Sequence, residues 1–275
     1  MDPNLILSPV ISLGAVGLLF GGLLSFASTQ FAVQEDPRIS QINAVLPGAN
    51  CGGCGYPGCN NYATAVVGGD AVDKCTVGGA SVAANVAQIM GVSALKSKER
   101  FIARVMCHGG TNCANAFTYK GLDECVAANF VLGGPKTCKE GCLGGGDCER
   151  VCQFDAIHVN EEGVAVVDMD KCTGCEACVK ICPKNIIDMV PAAQLVLVDC
   201  KNREFGAHVM RNCKNACIAC KRCEKACQYD AIHVNNNVAS IDYDKCTNCM
   251  ECAKVCPTKC INVVGGIPVV NEEAS

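Results

Sequence analysis

The polar and apolar positions divide the chain at once. Between Asp2 and Glu35 no side chain is charged, and PNLILSPVISLGAVGLLFGGLLSFASTQFAVQ exceeds the ~20 apolar residues a helix needs to cross a bilayer. The pattern predicts a retained membrane anchor over residues 1–34. A cleaved signal peptide fits less well, because its leading residues lack Lys and Arg, the apolar run is too long and no A-x-A site follows. Gly17, Gly21 and Ser25 recur every four residues, a small-residue stripe on which another helix can pack closely. The span holds no acidic, basic or His side chain, so any ion movement is expected in other polypeptides.

Past the anchor the pattern shortens. The stretch SVAANVAQIMGVSALKSKERFIARVM has helix-forming residues and reads as a connector with a solvated cationic face. From residue 125 onward, cysteine loops alternate with short DAI-type turns and with the apolar hairpins IHVNEEGVAVVD and IHVNNNVASID.

Composition changes the picture. Of 275 residues 26 are Cys and none is Trp, and leaving the cysteines out of the 50% hydrophobic fraction leaves roughly 40% for an ordinary core. Something besides side-chain packing must hold the chain together. Most of the cysteines fall in tight runs separated by two or three residues, which points to metal ligation rather than to a disulfide framework. A net charge of −4 provides no basic field for nucleic acid.

The first cluster of thiols is CGGCGYPGCNNYATAVVGGDAVDKC, giving Cys51, Cys54, Cys59 and Cys75. Three thiols in one Gly-rich loop and a fourth beyond it suit a 4Fe-4S cube; structural zinc is the competing reading, but it usually draws two ligands from each of two separated knuckles. Residues 53–58 also satisfy G-x-G-x-x-G, yet no strand precedes them and Pro57 interrupts them, so the match carries no nucleotide site.

The rest of the chain is a duplication. Cys125, Cys138, Cys142, Cys148 and Cys152 recur as Cys200, Cys213, Cys217, Cys223 and Cys227, and QFDAIHV recurs as QYDAIHV. Cys172, Cys175, Cys178 and Cys182-Pro183 recur as Cys246, Cys249, Cys252 and Cys256-Pro257. C-x2-C-x2-C-x3-C-P is specific to two-cluster ferredoxins, in which three Cys bind one cluster and the fourth reaches across to the other. The expected sets are Cys217, Cys220, Cys223 and Cys256; Cys227, Cys246, Cys249 and Cys252; and Cys152, Cys172, Cys175 and Cys178. The remaining set has Cys142, Cys148 and Cys182 but Gly145 where the other copy has Cys220, and the spare thiol nearest in sequence, Cys138, is expected to complete it; a three-iron cluster with an open corner is the alternative. Among the thiols left over, Cys107, Cys113, Cys125, Cys200 and Cys213 offer ligands for a sixth cluster beyond these five, or else are small buried thiols, as Cys260 is expected to be.

The uncharged span, the CGGCGYPGC loop with Cys75, CKEGCLGGGDCERVCQFDAI and CTGCEACVKICP together resemble the B subunit of the Rnf ion-translocating electron transport complex, in the longer, clostridial-type form with a duplicated module. The resemblance covers nearly the whole chain and implies an iron-sulfur subunit anchored in the cell membrane with its soluble part on the cytoplasmic side. It implies electrons accepted from soluble reduced ferredoxin and relayed to other membrane subunits, in a ferredoxin:NAD oxidoreductase that exports Na⁺ or H⁺. Flavin and nicotinamide chemistry is expected elsewhere.

The expected fold is α+β, divided into an anchor (1–34), a four-Cys 4Fe-4S domain (35–80), a connector with extra cysteines (81–124) and two tandem bacterial-ferredoxin-like modules (125–195 and 196–275). With only four His and no Ser/His/Asp or paired-carboxylate constellation, the chain is expected to carry electrons and to convert no substrate alone. Lys214, Lys221, Arg222 and Lys225 crowd the last ligand loop and either attract an acidic ferredoxin or offset the anionic cluster. A membrane-tethered polyferredoxin serving a hydrogenase or other dehydrogenase, and a zinc-stapled scaffold, are the rival readings.

Overall fold

The computed structural model describes residues 3–31, 36–93 and 99–264. Lys96 and Lys98 of the expected cationic face, and residues 265–275 of the second module, lie outside the described residues. Helix α1 (Pro3–Gln30) is 28 residues long, about 42 Å at 1.5 Å per residue and enough to cross the ~30 Å hydrocarbon core. Its window Leu13–Gln30 is apolar enough for a membrane span and none of it is buried. Leu18 is 81% exposed and Leu24 68%, and nothing lies within 4 Å of where a Cβ would stand on Gly17 or Gly21. The helix is thus a candidate span whose small-residue stripe contacts nothing else among the described residues.

Helices α2 (Pro37–Val45), α3 (Cys59–Val67) and α4 (Gly79–Met90) pack around Ile42, Tyr62, Val66 and Val86, none more than 1% exposed. Asp36 caps α2, its carboxylate accepting from the Arg38 backbone N–H, with Pro37 preset in the first turn. Helix α4, read as connector from sequence, is therefore part of the core beneath the first cysteine loop.

The duplication appears as two copies of one plan. In the first, strand β1 (Phe101–Val105) is followed by α5 (Cys125–Phe130), α6 (Asp147–Arg150), the hairpin of β2 (Ile157–Val159) and β3 (Ala165–Val167), α7 (Ala177–Ile181) and β4 (Ile187–Pro191). In the second, β5 (Val196–Val198) precedes α8 (Gly206–Asn212), α9 (Arg222–Ala226), the hairpin of β6 (Ile232–Asn235) and β7 (Val238–Ile241), α10 (Glu251–Lys254) and β8 (Ile261–Val263). Among the described residues all four strand pairings are antiparallel: β2 with β3, β6 with β7, and the outer pairs β1 with β4 and β5 with β8. Both hairpins stand where the alternating pattern places them. The outer strand β1 does not: it comes from the stretch read as connector and closes the first module by pairing Ile102 with Val190.

Each copy has its own core, one around Ile102, Ile157 and Ile186 and one around Val196, Val209 and Ile232. Met106, Val190 and Leu197 join them with Tyr243 packed alongside, and Lys201 Nζ bridges to Asp188 Oδ1 at 2.5 Å.

Candidate iron-sulfur centres

The four ferredoxin-type loops share one backbone shape. Counting from the first Cys, the residues at +2 and +4 are left-handed in every loop: Gly144 and Gly146, Gly174 and Glu176, Ala219 and Lys221, Asn248 and Met250, with φ between 56° and 75°. So is the residue three after each crossing Cys, namely Asp155, Asn185, Asp230 and Lys259 at φ 50° to 53°. These turns fold each loop into a cup with its thiols facing inward. Residues other than Gly, Asn and Asp enter this region at a cost of about 1–2 kcal/mol each, which Glu176, Ala219, Lys221, Met250 and Lys259 bear.

Backbone N–H groups point at the sulfurs. Ala156 N donates to Cys152 Sγ and, at the equivalent position, Ala231 N donates to Cys227 Sγ, both at 3.4 Å. Gly78 N donates to Cys75 Sγ and Ala103 N to Cys172 Sγ, again at 3.4 Å. Such bonds stabilise a thiolate and tune a cluster bound to it. Burial does the opposite to an unligated thiol, pushing Cys148, Cys178 and Cys252 up to about 12. Iron ligation would have to release those protons.

Four hollows have comparable size. The one lined by Cys51, Cys54, Cys59 and Cys75 encloses about 350 Å³, part of it open to solvent, and that lined by Cys152, Cys172, Cys175 and Cys178 about 350 Å³. The Cys227, Cys246, Cys249 and Cys252 hollow has about 330 Å³, and that of Cys217, Cys220, Cys223 and Cys256 about 310 Å³. A structural zinc needs all its sulfurs within ~2.3 Å of one point. No group of three or more His, Cys, Asp or Glu among the described residues could hold a single ion in that way. All 26 cysteines are free thiols, so no disulfide framework competes. Four thiols lining each hollow are the donor set of a 4Fe-4S cube.

At the loop with Gly145 the structure brings Cys125, rather than Cys138, to Cys142, Cys148 and Cys182. A Cβ on Gly145 would lie 2.7 Å from Cys125 N and 2.8 Å from Glu124 C. Helix α5 thus enters the gap left by the missing side chain and brings Cys125, its first residue, to the loop. Asp147 fixes it there: its two carboxylate oxygens accept from Cys125 N at 3.0 Å and Val126 N at 2.8 Å. Cys125, Cys142 and Cys182 are the thiols that crowd Cys148 and add to its upward shift. Cys138, the thiol expected here from proximity in sequence, stands elsewhere, against Cys113 and with its Sγ accepting from Asn202 Nδ2 at 3.3 Å. The signal for Cys125 lay in the Gly144-Gly145-Gly146 run, which marks a close backbone approach.

Cys260 is 2% exposed with its Sγ 3.6 Å from Cys256 Sγ, and its thiol donation holds Cys256 down at about 5. The N-terminal loop touches the first module: a Cβ on Gly53 would come 3.1 Å from Cys175 Cα and 3.2 Å from its carbonyl oxygen. Cys220 and Cys249, in the second module, are exposed.

Three family models match along this architecture: "Putative Fe-S cluster" over residues 46–77, "4Fe-4S binding domain" over 165–188 and "4Fe-4S dicluster domain" over 216–260. Fold and thiol cups together define an iron-sulfur electron-transfer protein of the multi-cluster ferredoxin kind, carrying one candidate membrane span. Among curated proteins, the B subunit of the Na(+)-translocating ferredoxin:NAD(+) oxidoreductase complex of Acetobacterium woodii is 51% identical over 94% of this chain and 78% of its own length. The B subunit of the ion-translocating oxidoreductase complex of Methanosarcina acetivorans is 36% identical over 94% of this chain and 99% of its own. The proton-translocating counterpart of Clostridium ljungdahlii is 39% identical over 89% and 87%. The chain belongs to the B-subunit family of these ion-translocating, Rnf-type oxidoreductase complexes.

Proposed function

We propose that this chain accepts electrons from reduced ferredoxin on the cytoplasmic side and relays them toward the membrane subunits of an ion-translocating ferredoxin:NAD oxidoreductase. Five thiol sets hold 4Fe-4S clusters in this reading: Cys51, Cys54, Cys59 and Cys75; Cys125, Cys142, Cys148 and Cys182; Cys152, Cys172, Cys175 and Cys178; Cys217, Cys220, Cys223 and Cys256; and Cys227, Cys246, Cys249 and Cys252. Bound clusters supply one-electron redox chemistry without making or breaking substrate bonds.

The observation that carries the direction is the contact of Gly53 with Cys175. It sets the N-terminal loop, which follows the candidate span in sequence, against the first module, and leaves the second module at the other end of the series. There Cys220 is exposed, and Lys214, Lys221, Arg222 and Lys225, close to it in sequence, all face solvent. An acidic ferredoxin is drawn to this end, and helix α1 packs its Gly17, Gly21 and Ser25 stripe on a helix of a partner protein in the membrane.

The test is stopped-flow reduction of the purified chain by reduced ferredoxin. The double variant Lys221→Glu with Arg222→Glu should react about tenfold or more slowly at low salt, and the difference should shrink as salt screens the charges. An unchanged low-salt rate would place ferredoxin somewhere else.

A further inference from the structure

Of the six thiols that the five sets leave over, all but Cys260 converge at the joint between the two modules. Residues 113–116 run between two other segments. On one side Cys113 bridges to Cys213, with Ala114 N donating to Asn212 O at 2.8 Å. On the other, Thr137 N donates to Ala114 O at 2.9 Å and Asn115 bridges to Lys136. Three neighbouring strands of chain therefore present Cys138, Cys113 and Cys213 side by side. Cys107 is the fourth: a Cβ on Gly109 would lie 3.2 Å from Cys113 Cβ, 3.3 Å from Cys213 Sγ and 3.7 Å from Cys107 Sγ. Lys136 Nζ ties the turn down by donating to Gly110 O at 2.9 Å and Cys113 O at 3.3 Å.

The place is built like the cluster sites. Its hollow, about 370 Å³ and part of it open to solvent, matches the 310 to 350 Å³ of the four described above. Cys113, Cys138 and Cys213 are at most 7% exposed. Asn202, 1% exposed, aims its amide at Cys138 Sγ. Cys107 Sγ accepts from Cys142 N at 3.4 Å, which puts the site against the first module's loop, while Cys213 lies four residues before Cys217 of the second. Cys200, the fifth thiol at the rim, turns instead to Cys217, whose N–H it accepts at 3.3 Å.

We propose that Cys107, Cys113, Cys138 and Cys213 hold a sixth 4Fe-4S cluster between the Cys142 and Cys217 loops, joining the two modules into one electron path. One electron at a time would enter from one loop and leave by the other, with no bond made or broken. The inference rests on the iron-sulfur reading of the other five sets. It explains why Cys138 is withdrawn from the Gly145 loop and why that loop needs Cys125.

The experiment counts iron, acid-labile sulfide and zinc per full-length chain, purified anaerobically, in the wild type and in the Cys113→Ser, Cys200→Ser and Cys54→Ser variants. The wild type should hold about 24 iron atoms and Cys113→Ser about four fewer, with an equal loss of sulfide, no zinc, and Cys200→Ser unchanged. Cys54→Ser, in an N-terminal set, should also lose about four and so calibrates the loss of one cluster. Cys107→Ser gives a second reading should Cys113→Ser not fold. The proposal is overturned if Cys113→Ser and Cys107→Ser keep the wild-type iron, if Cys200→Ser loses the four atoms instead, or if one zinc accompanies a wild-type count of about 20 iron atoms. A wild type with no iron at all would remove the five-cluster reading as well, and so separates the two failures.

Discussion

Gly145 shows how one missing side chain reorganises a site. Where the second copy has Cys220, the first has no Cβ, and the backbone of Glu124 and Cys125 occupies the space. Because the obstruction is backbone, restoring the ligand in place should fail. Cys125→Ser is expected to lose about four iron atoms, and adding Gly145→Cys should not return them; recovery of the iron in the double variant would show that the loop can close without α5. The left-handed residues of the cups give a second prediction. Ala219, at φ 56°, lies between two ligands of the second module. Ala219→Gly should keep the iron and raise stability by about 1 kcal/mol, whereas Ala219→Val should lower it by a similar amount or more, read as thermal midpoints of the anaerobic protein. Midpoints in the opposite order would contradict the loop geometry.

Elements explain what was legible and what was not. The hairpins β2–β3 and β6–β7 announce themselves through alternation, and the C-x2-C-x2-C-x3-C-P loops through spacing, since both are local patterns set by the chain's own period. Strand β1 is five residues long and finds its partner β4 more than 80 residues later, so no local pattern marks it. Cys125 was hidden for the same reason: Cys138 is nearer to Cys142 in sequence, but α5 is nearer in space. The joint thiols span Cys107 to Cys213 and meet only once both modules have folded. The Gly53 contact belongs to this scale too. Gly53→Val should leave iron content intact yet force the N-terminal loop away from Cys175, at about 1–3 kcal/mol for the overpacked contact. Reoxidation of the first module through the N-terminal set should slow. A normal rate with normal iron would mean that this contact is not the route.

At the scale of the molecule, the small buried cores of the described residues and a series of thiol cups share the work of holding the chain together. That accounts for a composition with 26 Cys, no Trp and a reduced share of ordinary core residues. Removing the metal should therefore unfold the modules rather than empty them, visible as loss of the β-hairpin signal on chelation and oxidation. Deleting residues 1–31 should release an iron-loaded protein from membrane vesicles, because among the described residues α1 shares no core with the rest; retention on the vesicles would assign anchoring to another surface. The central claim is that thiolate sulfur holds cubane iron throughout, and Mössbauer spectroscopy of the full-length chain enriched in the iron-57 isotope tests it most directly. The spectrum should contain only the quadrupole doublets of 4Fe-4S cubes with delocalised valence. Signals of isolated tetrahedral iron, or a protein carrying zinc and no iron, would contradict it.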